Sequence, residues 1–525
     1  MDNNSILTYD YIVIGTGPAG AVMTTILSLN SEDTILVLEA GDNNSDEWPI
    51  LKTSNDTWRY FPNYFWQGRT ISQQYVNKRA FNWTTGRLLG GGSSVNGGQY
   101  VRPTNQVLEK WEELLGPMWS PANAQKAFVH LENYNGATTN PKARGYDGPL
   151  HIRQAPRIVP TITKKFVDAI ELGTGYPVIL DYNDPTTPIG PFYRWQLYQF
   201  PNGQRESSAN AFLFPSIIKH ACNYLYGRNF TVSINSTVTK ILLDYNLKAK
   251  GISYIENGHH NTAYAKKKVI LSAGINSSQL LMLSGIGQEE MLSDANIKTF
   301  VNNPYVGSNL TNHLLNTATF SVNQMDLEEK MDDENSVYYG GAFLPYPNSQ
   351  NDERGIQLIG EVSGNLLTVS IINLLPESRG SISIQNNDPL KIVLADDGYL
   401  SDQTDLTNIK NVYRNYIVAI ANALNSIDPS YKLISPSLDI INDDAALENY
   451  IRNNAIGTYH QQSFNRMAPF QNGGVVDNLG NVYGTHDLIV SDSSIIPFTV
   501  DGNNSATSYL IGYTLANHII NSTID

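Results

Sequence analysis

The sequence predicts a mixed α/β protein of two interleaved lobes, and three observations carry that prediction. Between Tyr9 and Glu39 a short apolar run, a glycine-rich turn, a helical stretch and a second apolar run follow one another, which is a strand–helix–strand unit. From about Thr319 to Asn454 the chain alternates β-like runs such as Ser381-Ile382-Ser383-Ile384 with polar turns and helical patterns. No internal repeat or low-complexity linker separates these regions. At 525 residues the chain holds three or four lobes' worth of sequence, taking about 150 residues for each.

Composition narrows the function classes. Hydrophobic residues make up 41% and charged residues only 16%, a balance that excludes disorder and coiled coil. A net charge of -14 suits neither nucleic-acid phosphates nor an anionic membrane surface, so neither is expected as a partner. Cys222 is the single cysteine, which rules out an intramolecular disulfide and any multi-cysteine metal site. Adjacent His259 and His260 lack acids or cysteines at ligand spacing, so no metal is expected. The triplet Lys266-Lys267-Lys268 reads as a solvated turn before a strand. The start, Met1 to Ser5, shows no basic region followed by an apolar one, and no apolar run approaches the ~20 residues of a membrane helix. The expectation is a protein that is intracellular at synthesis and does not span a membrane.

The first element, Tyr9-Asp10-Tyr11-Ile12-Val13-Ile14, has the β-rich apolar character of a buried parallel strand. Gly15, Gly17 and Gly20 follow as G-x-G-x-x-G, with Pro18 and Ala19 inside the motif, and the run from Ala21 to Leu27 suits a helix. The first glycine permits the tight turn, the second lets a pyrophosphate approach the backbone, and the third lets helix and strand pack closely. The helix N-terminus supplies the positive end of its dipole. Glu39, followed by Ala40, closes the second strand nineteen residues after Gly20, where a carboxylate can accept both ribose hydroxyls of an adenosine. It would repel a 2′-phosphate, so NADP is disfavoured; these residues leave NAD and FAD both open.

A second glycine-rich stretch decides between them. Gly86-Arg87-Leu88-Leu89-Gly90-Gly91-Gly92-Ser93-Ser94-Val95-Asn96, continuing through Gly97 to Gln99-Tyr100-Val101-Arg102, resembles the G-[RK]-x-L-G-G-x-S-x-x-N loop of the glucose–methanol–choline (GMC) family of FAD-dependent oxidoreductases. Further matches run from about residue 8 to residue 522. Gly203-Gln204-Arg205-Glu206-Ser207-Ser208-Ala209 is similar to the family's G-x-R-x-S-x-A segment, and Val238 sits in a run like the strand that reads the adenine. Ser272-Ala273-Gly274 with Ser277 and Ser284-Gly285-Ile286-Gly287 resembles the second family signature, one residue short, with Ser278 in place of a common proline. Val306 to His313 resembles V-G-x-N-L-x-D-H, with Asn312 replacing the acid.

The resemblance implies a Rossmann-like FAD-binding domain (α/β) interleaved with a substrate domain (α+β) built on an antiparallel sheet flanked by helices. The expected division is 1–155, 203–318 and 456–525 for the first, and 156–202 and 319–455 for the second. It implies cofactor contacts from Arg87, Gly90, Gly91, Ser94, Asn96 and Gly97 in the loop, and from Val238, Ala273, Gly274 and Asp492. Ala506 and Thr507 would contribute from the start of a last helix with apolar spacing at Leu510, Ile511, Leu515 and Ile519. That helix N-terminus would stabilise an anionic reduced flavin. Members with covalent flavin carry histidine where this chain has Val95, so non-covalent FAD is expected.

For catalysis, Thr458-Tyr459-His460 ahead of Arg466-Met467-Ala468-Pro469 matches the family tract whose histidine faces the flavin. His460 is the expected base, an imidazole being able to take a proton near neutral pH. Counting back from Tyr509, Asn503 takes the partner position and serves the cofactor as well, with Asn504 competing for it. The expected activity is oxidation of a small-molecule alcohol to an aldehyde or ketone, with dioxygen or another electron acceptor. A lyase that keeps FAD without its redox chemistry, and a structural or virion assembly protein on the same scaffold, are the rival readings. A homo-oligomer is compatible with all three. Two segments are expected over the pocket, Trp58 to Gly68 with its aromatics (Trp58, Tyr60, Phe61, Tyr64, Phe65, Trp66) and Met325 to Tyr346.

Overall fold

The computed structural model describes residues 7–43, 47–51, 61–329 and 337–524. Strand β1 (Leu7–Ile14) lies between two parallel neighbours that pair both its edges, and Tyr11-Ile12-Val13-Ile14 are all buried, as in a parallel sheet covered on both faces. Helix α1 (Pro18–Asn30) starts with proline at its first position, where a fixed φ helps and the missing N–H costs nothing. Beyond it, β2 (Ile35–Leu38) pairs with β1 and, on its other edge, with β3 (Phe230–Ser233), again in parallel. The outer neighbour of β1 is β4 (His259–Leu271). Antiparallel strands extend this sheet at both ends, and with one further strand parallel to β4 it has nine among the described residues.

The lysine triplet lies inside β4 rather than in a turn. Lys267 pairs with Asp33 at 2.7 Å, and Lys266 and Lys268 face Asp10 and Asp487 at 3.6 and 3.5 Å. Neighbouring acids make a charged strand end affordable where the sequence showed only a charge run.

The second sheet is antiparallel and has seven strands among the described residues. Its centre is β5 (Leu314–Ser321), β6 (Tyr338–Leu344), β7 (Ile356–Ser363) and β8 (Leu366–Asn373), in the spatial order β5-β8-β7-β6. Helices Thr161–Thr174 and Val418–Ile427 cover one face, packing Phe166, Ile170, Ile420 and Leu424 against Leu358, Leu367 and Val369. The expected division at residue 318 falls within β5, and the short strand Ile456–Gly457 pairs with β5. The chain then returns to the first sheet with β9 (Leu488–Val490), parallel to the end of β4. It closes with α2 (Ser505–Ile524), which crosses α1 closely: a Cβ on Gly512 would meet the Ala19 carbonyl oxygen at 2.5 Å.

Candidate active site

A cavity of about 590 Å³ opens where the carboxyl ends of β1, β2 and β4 meet the second sheet. Its wall includes Ile14, Leu38 and Ser272 from those strand ends, and Leu315, Tyr338 and Ile359 from the facing sheet. Carboxyl ends of parallel strands are where α/β sheets take their ligands, because the helix N-termini converge there.

At the nucleotide end the glycines divide by role. Gly15 has φ +100°, and Gly20 packs on the Gly15 carbonyl and Ser272, so both are required by the protein's own backbone. Gly17 is different. Its φ of -61° suits any residue, and a Cβ there would find no protein atom within 4 Å. Gly92 is equally open. Both line the cavity, so their missing side chains leave room for something other than this chain. The expected dinucleotide fits that cradle.

Pro18, Ala19, Glu39, Ala40 and Val238 also line the cavity. Glu39 accepts from the Thr16 hydroxyl at 2.5 Å and the Gly41 amide at 3.0 Å. Burial pushes its pKa up, against those hydrogen bonds, and leaves part of its acceptor capacity for a ligand. Thr16 was missed by the sequence reading. Its hydroxyl also accepts from the Gly90 amide at 3.1 Å, joining the two glycine motifs, and as an x position in G-x-G-x-x-G it carried no signal.

In the glycine loop, Gly91, Asn96 and Gly97 face the cavity, as does Val95. Gly90, Ser94 and Arg87 do not form its wall. Gly90 turns the chain with φ +87°, Ser94 Oγ donates to the Leu89 carbonyl at 2.7 Å, and the Arg87 guanidinium stacks 4.7 Å from the Trp66 ring. Arg205 holds this loop from behind. Fully buried, it donates to the carbonyls of Ile50 (2.9 Å), Ser93 (3.2 Å) and Asn96, and to Asn96 Oδ1 at 2.8 Å.

Ala273 and Gly274 line the cavity beside Asp492. The Asp492 carboxylate accepts from the Gly274 amide (2.9 Å), Ser277 Oγ (2.6 Å) and the Ser494 amide (2.9 Å), which pins the turn. At α2 the residues on the wall are Asn503, Asn504, Ser505 and Ser508. Ala506 and Thr507 are buried in the first turn instead, where the helix packs inward, and only their backbone amides stand at the helix start.

His460 and Asn503 meet, with Asn503 Nδ2 at 3.1 Å from His460 Nε2. Asn504 Nδ2 donates instead to the Gln461 carbonyl at 3.4 Å. Asn503 Oδ1 accepts from Gln357 Nε2 at 3.3 Å, which sets the amide's orientation. Behind His460 lies His313, the two Nδ1 atoms 3.0 Å apart, and His313 Nε2 is 3.0 Å from the Val500 carbonyl. A carbonyl only accepts, so His313 Nε2 carries its proton and neutral His313 presents a bare Nδ1. His460 therefore donates from Nδ1 and keeps a lone pair on Nε2, the nitrogen that accepts from Asn503. Asn312 Oδ1 takes the His460 backbone amide at 3.1 Å.

Burial lowers both imidazoles, His460 to about 4 and His313 to about 3, the latter also through its neighbour His460. The His460 ring retains partial exposure because it borders the cavity, and its depressed pKa reflects the protein packed around the rest of it. Both rings are neutral at physiological pH.

The aromatic segment splits. Phe65 and Trp66 line the cavity, while Phe61 stacks on Tyr64 at 4.9 Å; Trp58 and Tyr60 lie outside the described residues. Of the second segment, Tyr338 lines the cavity, and residues 330–336 lie outside the described residues. Among the described residues no helix is long and apolar enough to cross a membrane.

Comparison with known proteins agrees along the whole chain. An alcohol dehydrogenase [acceptor] of Pseudomonas putida is 29% identical, covering 98% of this chain and 96% of its own. An oxygen-dependent choline dehydrogenase of Staphylococcus epidermidis is 28% identical over 98% and 93%. Among solved structures, pyridoxine 4-oxidase from Mesorbium loti superposes with a TM-score of 0.84 at 23% identity, covering 97% and 98% of the two chains. Formate oxidase of Aspergillus oryzae gives 0.86 at 20% identity and 98% of each. The two family models described as GMC oxidoreductase match residues 9–315 and 376–512. With its glycine motifs and its histidine on one matched framework, this chain belongs to the GMC oxidoreductase family.

Proposed function

We propose that the protein oxidises the CH–OH group of an alcohol to a carbonyl, using non-covalently bound FAD. The observation that carries this reading is the His460 Nε2 lone pair, held beside the Asn503 amide on the wall of the nucleotide cavity. Glu39, the Gly15–Gly20 turn and the loop held by Arg205 would bind the cofactor. FAD supplies the hydride acceptor when bound.

The chain's own work is positioning and removal of one proton. An alcohol entering the wall between Asn503 and His460 would receive a hydrogen bond from Asn503 Nδ2 on its oxygen and donate its hydroxyl proton to His460 Nε2. That transfer raises the electron density on the oxygen as the carbon gives up its hydride, so one proton and one hydride leave and a carbonyl forms. An asparagine partner does not titrate near neutral pH, leaving His460 as the single base. Val95 stands on the cavity wall where covalent relatives carry histidine, and its isopropyl group offers no nucleophile. The relatives named for choline, alcohol and pyridoxine oxidation favour the same reaction class.

The test is the absorbance spectrum of the holoprotein during anaerobic addition of simple and benzylic alcohols. Bleaching of the flavin bands by at least one alcohol is expected, with FAD released intact by acid. Flavin that stays oxidised against the whole panel would overturn the reading, and admission of air after bleaching separates dioxygen from other acceptors.

A further inference from the structure

Three carboxylates line the cavity, Glu39, Asp492 and Glu361, and two of them are held by the chain's own donors as described above. Glu361 is not. Among the described residues no hydrogen-bond donor or cation is set against its carboxylate, and no lysine or arginine lines the cavity. On the sheet Glu361 stands between Tyr338 and Thr368, with Ile359 beside it on the same face of its own strand, and burial alone pushes its pKa up. A half-buried acid in such a setting carries an uncompensated desolvation cost, which a bound cation would relieve.

Its position connects it to the reacting end. Gln357, Ile359 and Glu361 alternate along β7 and so share one face of the sheet, and Gln357 is the residue whose amide meets Asn503. Across the strand pair Glu361 stands opposite Tyr338, whose hydroxyl is tied to the Gly97 carbonyl at 3.1 Å at the edge of the glycine loop. Glu361 is thus four residues from Gln357 along the strand, about 14 Å of backbone at ~3.4 Å per residue.

We propose that Glu361 is the cation-binding end of the substrate pocket and that the substrate is an alcohol bearing a protonated amine or other cationic group. The hydroxyl sits between His460 and Asn503, and the cation lies on the order of 10 Å away, the strand separation shortened by the reach of the side chains. The same wall disfavours anionic alcohols, because among the described residues no positive side chain faces them. This inference rests on the alcohol-oxidation reading for the hydroxyl end, while the cation subsite itself does not depend on turnover.

Three probes of matched length separate the charges: aminohexanol, heptanol and hydroxyhexanoate. In anaerobic reduction of the holoenzyme, aminohexanol is expected to exceed heptanol in kcat/KM at least tenfold, and hydroxyhexanoate to be the poorest. Glu361→Gln brings the first ratio close to one, and Glu361→Lys favours hydroxyhexanoate. Equal rates with all three probes, or an amine preference that survives Glu361→Gln, would overturn the proposal. Hexylammonium, which has no hydroxyl to oxidise, gives a second readout through perturbation of the flavin spectrum. Its binding is expected to weaken with salt and to be lost in Glu361→Gln, and binding that is indifferent to both would also overturn the proposal. Hexylammonium binding that depends on Glu361, with no probe reducing the flavin, would instead uphold the cation subsite and sink the oxidation reading.

Discussion

His313 Nδ1 lies 3.0 Å from His460 Nδ1, and because the Val500 carbonyl claims the other nitrogen of His313, this contact dictates which nitrogen of His460 is basic. A backbone oxygen thereby sets the tautomer of a side chain two hydrogen bonds away. Nothing in either histidine's own chemistry distinguishes its two nitrogens to this degree; the partner of each does.

The first prediction concerns that relay. His313→Gln can still approach Val500 but its amide nitrogen can turn toward His460, which permits the wrong tautomer. Flavin reduction by alcohol is expected to slow about tenfold, equivalent to ~1.4 kcal/mol, with FAD content unchanged. The check is the anaerobic reduction rate at saturating alcohol alongside the flavin-to-protein ratio. His460→Ala removes the base itself and is expected to cost 10²- to 10⁴-fold in the same assay.

The second is a pH dependence. Because burial holds His460 at about 4, the base is already neutral through the physiological range. The acid limb of kcat/KM is expected near that value rather than near 6.5, so activity stays flat between pH 8 and about 5.5. Stability follows the same groups. Both histidines are depressed in the folded state, so between ~6.5 and 4 the unfolded chain binds more protons than the native one. Their contribution is complete above ~6.5 and is lost as pH falls toward 4. Thermal midpoints measured from pH 7.5 to 4.5 are expected to decline, and less steeply in the His313→Gln variant.

The third contrasts two glycines of one motif. Gly17→Ala adds a methyl into open space, so the fold is expected to keep its melting temperature without cofactor while FAD affinity falls at least tenfold. Gly20→Ala drives a methyl into the Gly15 carbonyl, and is expected to destabilise the protein by roughly 1–3 kcal/mol. Calorimetry of the apoprotein with a flavin titration separates the two effects.

The fourth concerns Arg205. Arg205→Met leaves the Ile50, Ser93 and Asn96 carbonyls without their donor in a buried place, a loss of about 2–4 kcal/mol, and frees the loop along the cofactor site. Arg205→Lys is expected to recover little of it, since one ammonium cannot reproduce the forked guanidinium. Denaturant midpoints and flavin retention on gel filtration report both.

Much of the parallel lobe was legible because its signals are local. The buried strands β1 and β2 read as continuous apolar runs, and the turn between β1 and α1 needs glycine for reasons contained in a few residues. The lysine triplet misled, since ion pairs to Asp10, Asp33 and Asp487 come from segments far away in the chain. Within the glycine loop, motif membership could not tell residues that face the cavity, such as Asn96, from those that build the turn, such as Ser94.

What the sequence by itself determined is the set of parts: a dinucleotide turn, an acid at the end of the next strand, a family histidine and an asparagine ahead of the last helix. These depend on spacing along the chain, which a sequence displays. The tertiary structure alone decided how they act. It set Asn503 rather than Asn504 against His460, gave His460 its tautomer through His313 and Val500, and left Glu361 facing a cavity with no positive side chain on its wall among the described residues. Hydrogen-bond partnership and desolvation depend on distances between residues remote in sequence, and those distances exist only once the two sheets have closed on one another.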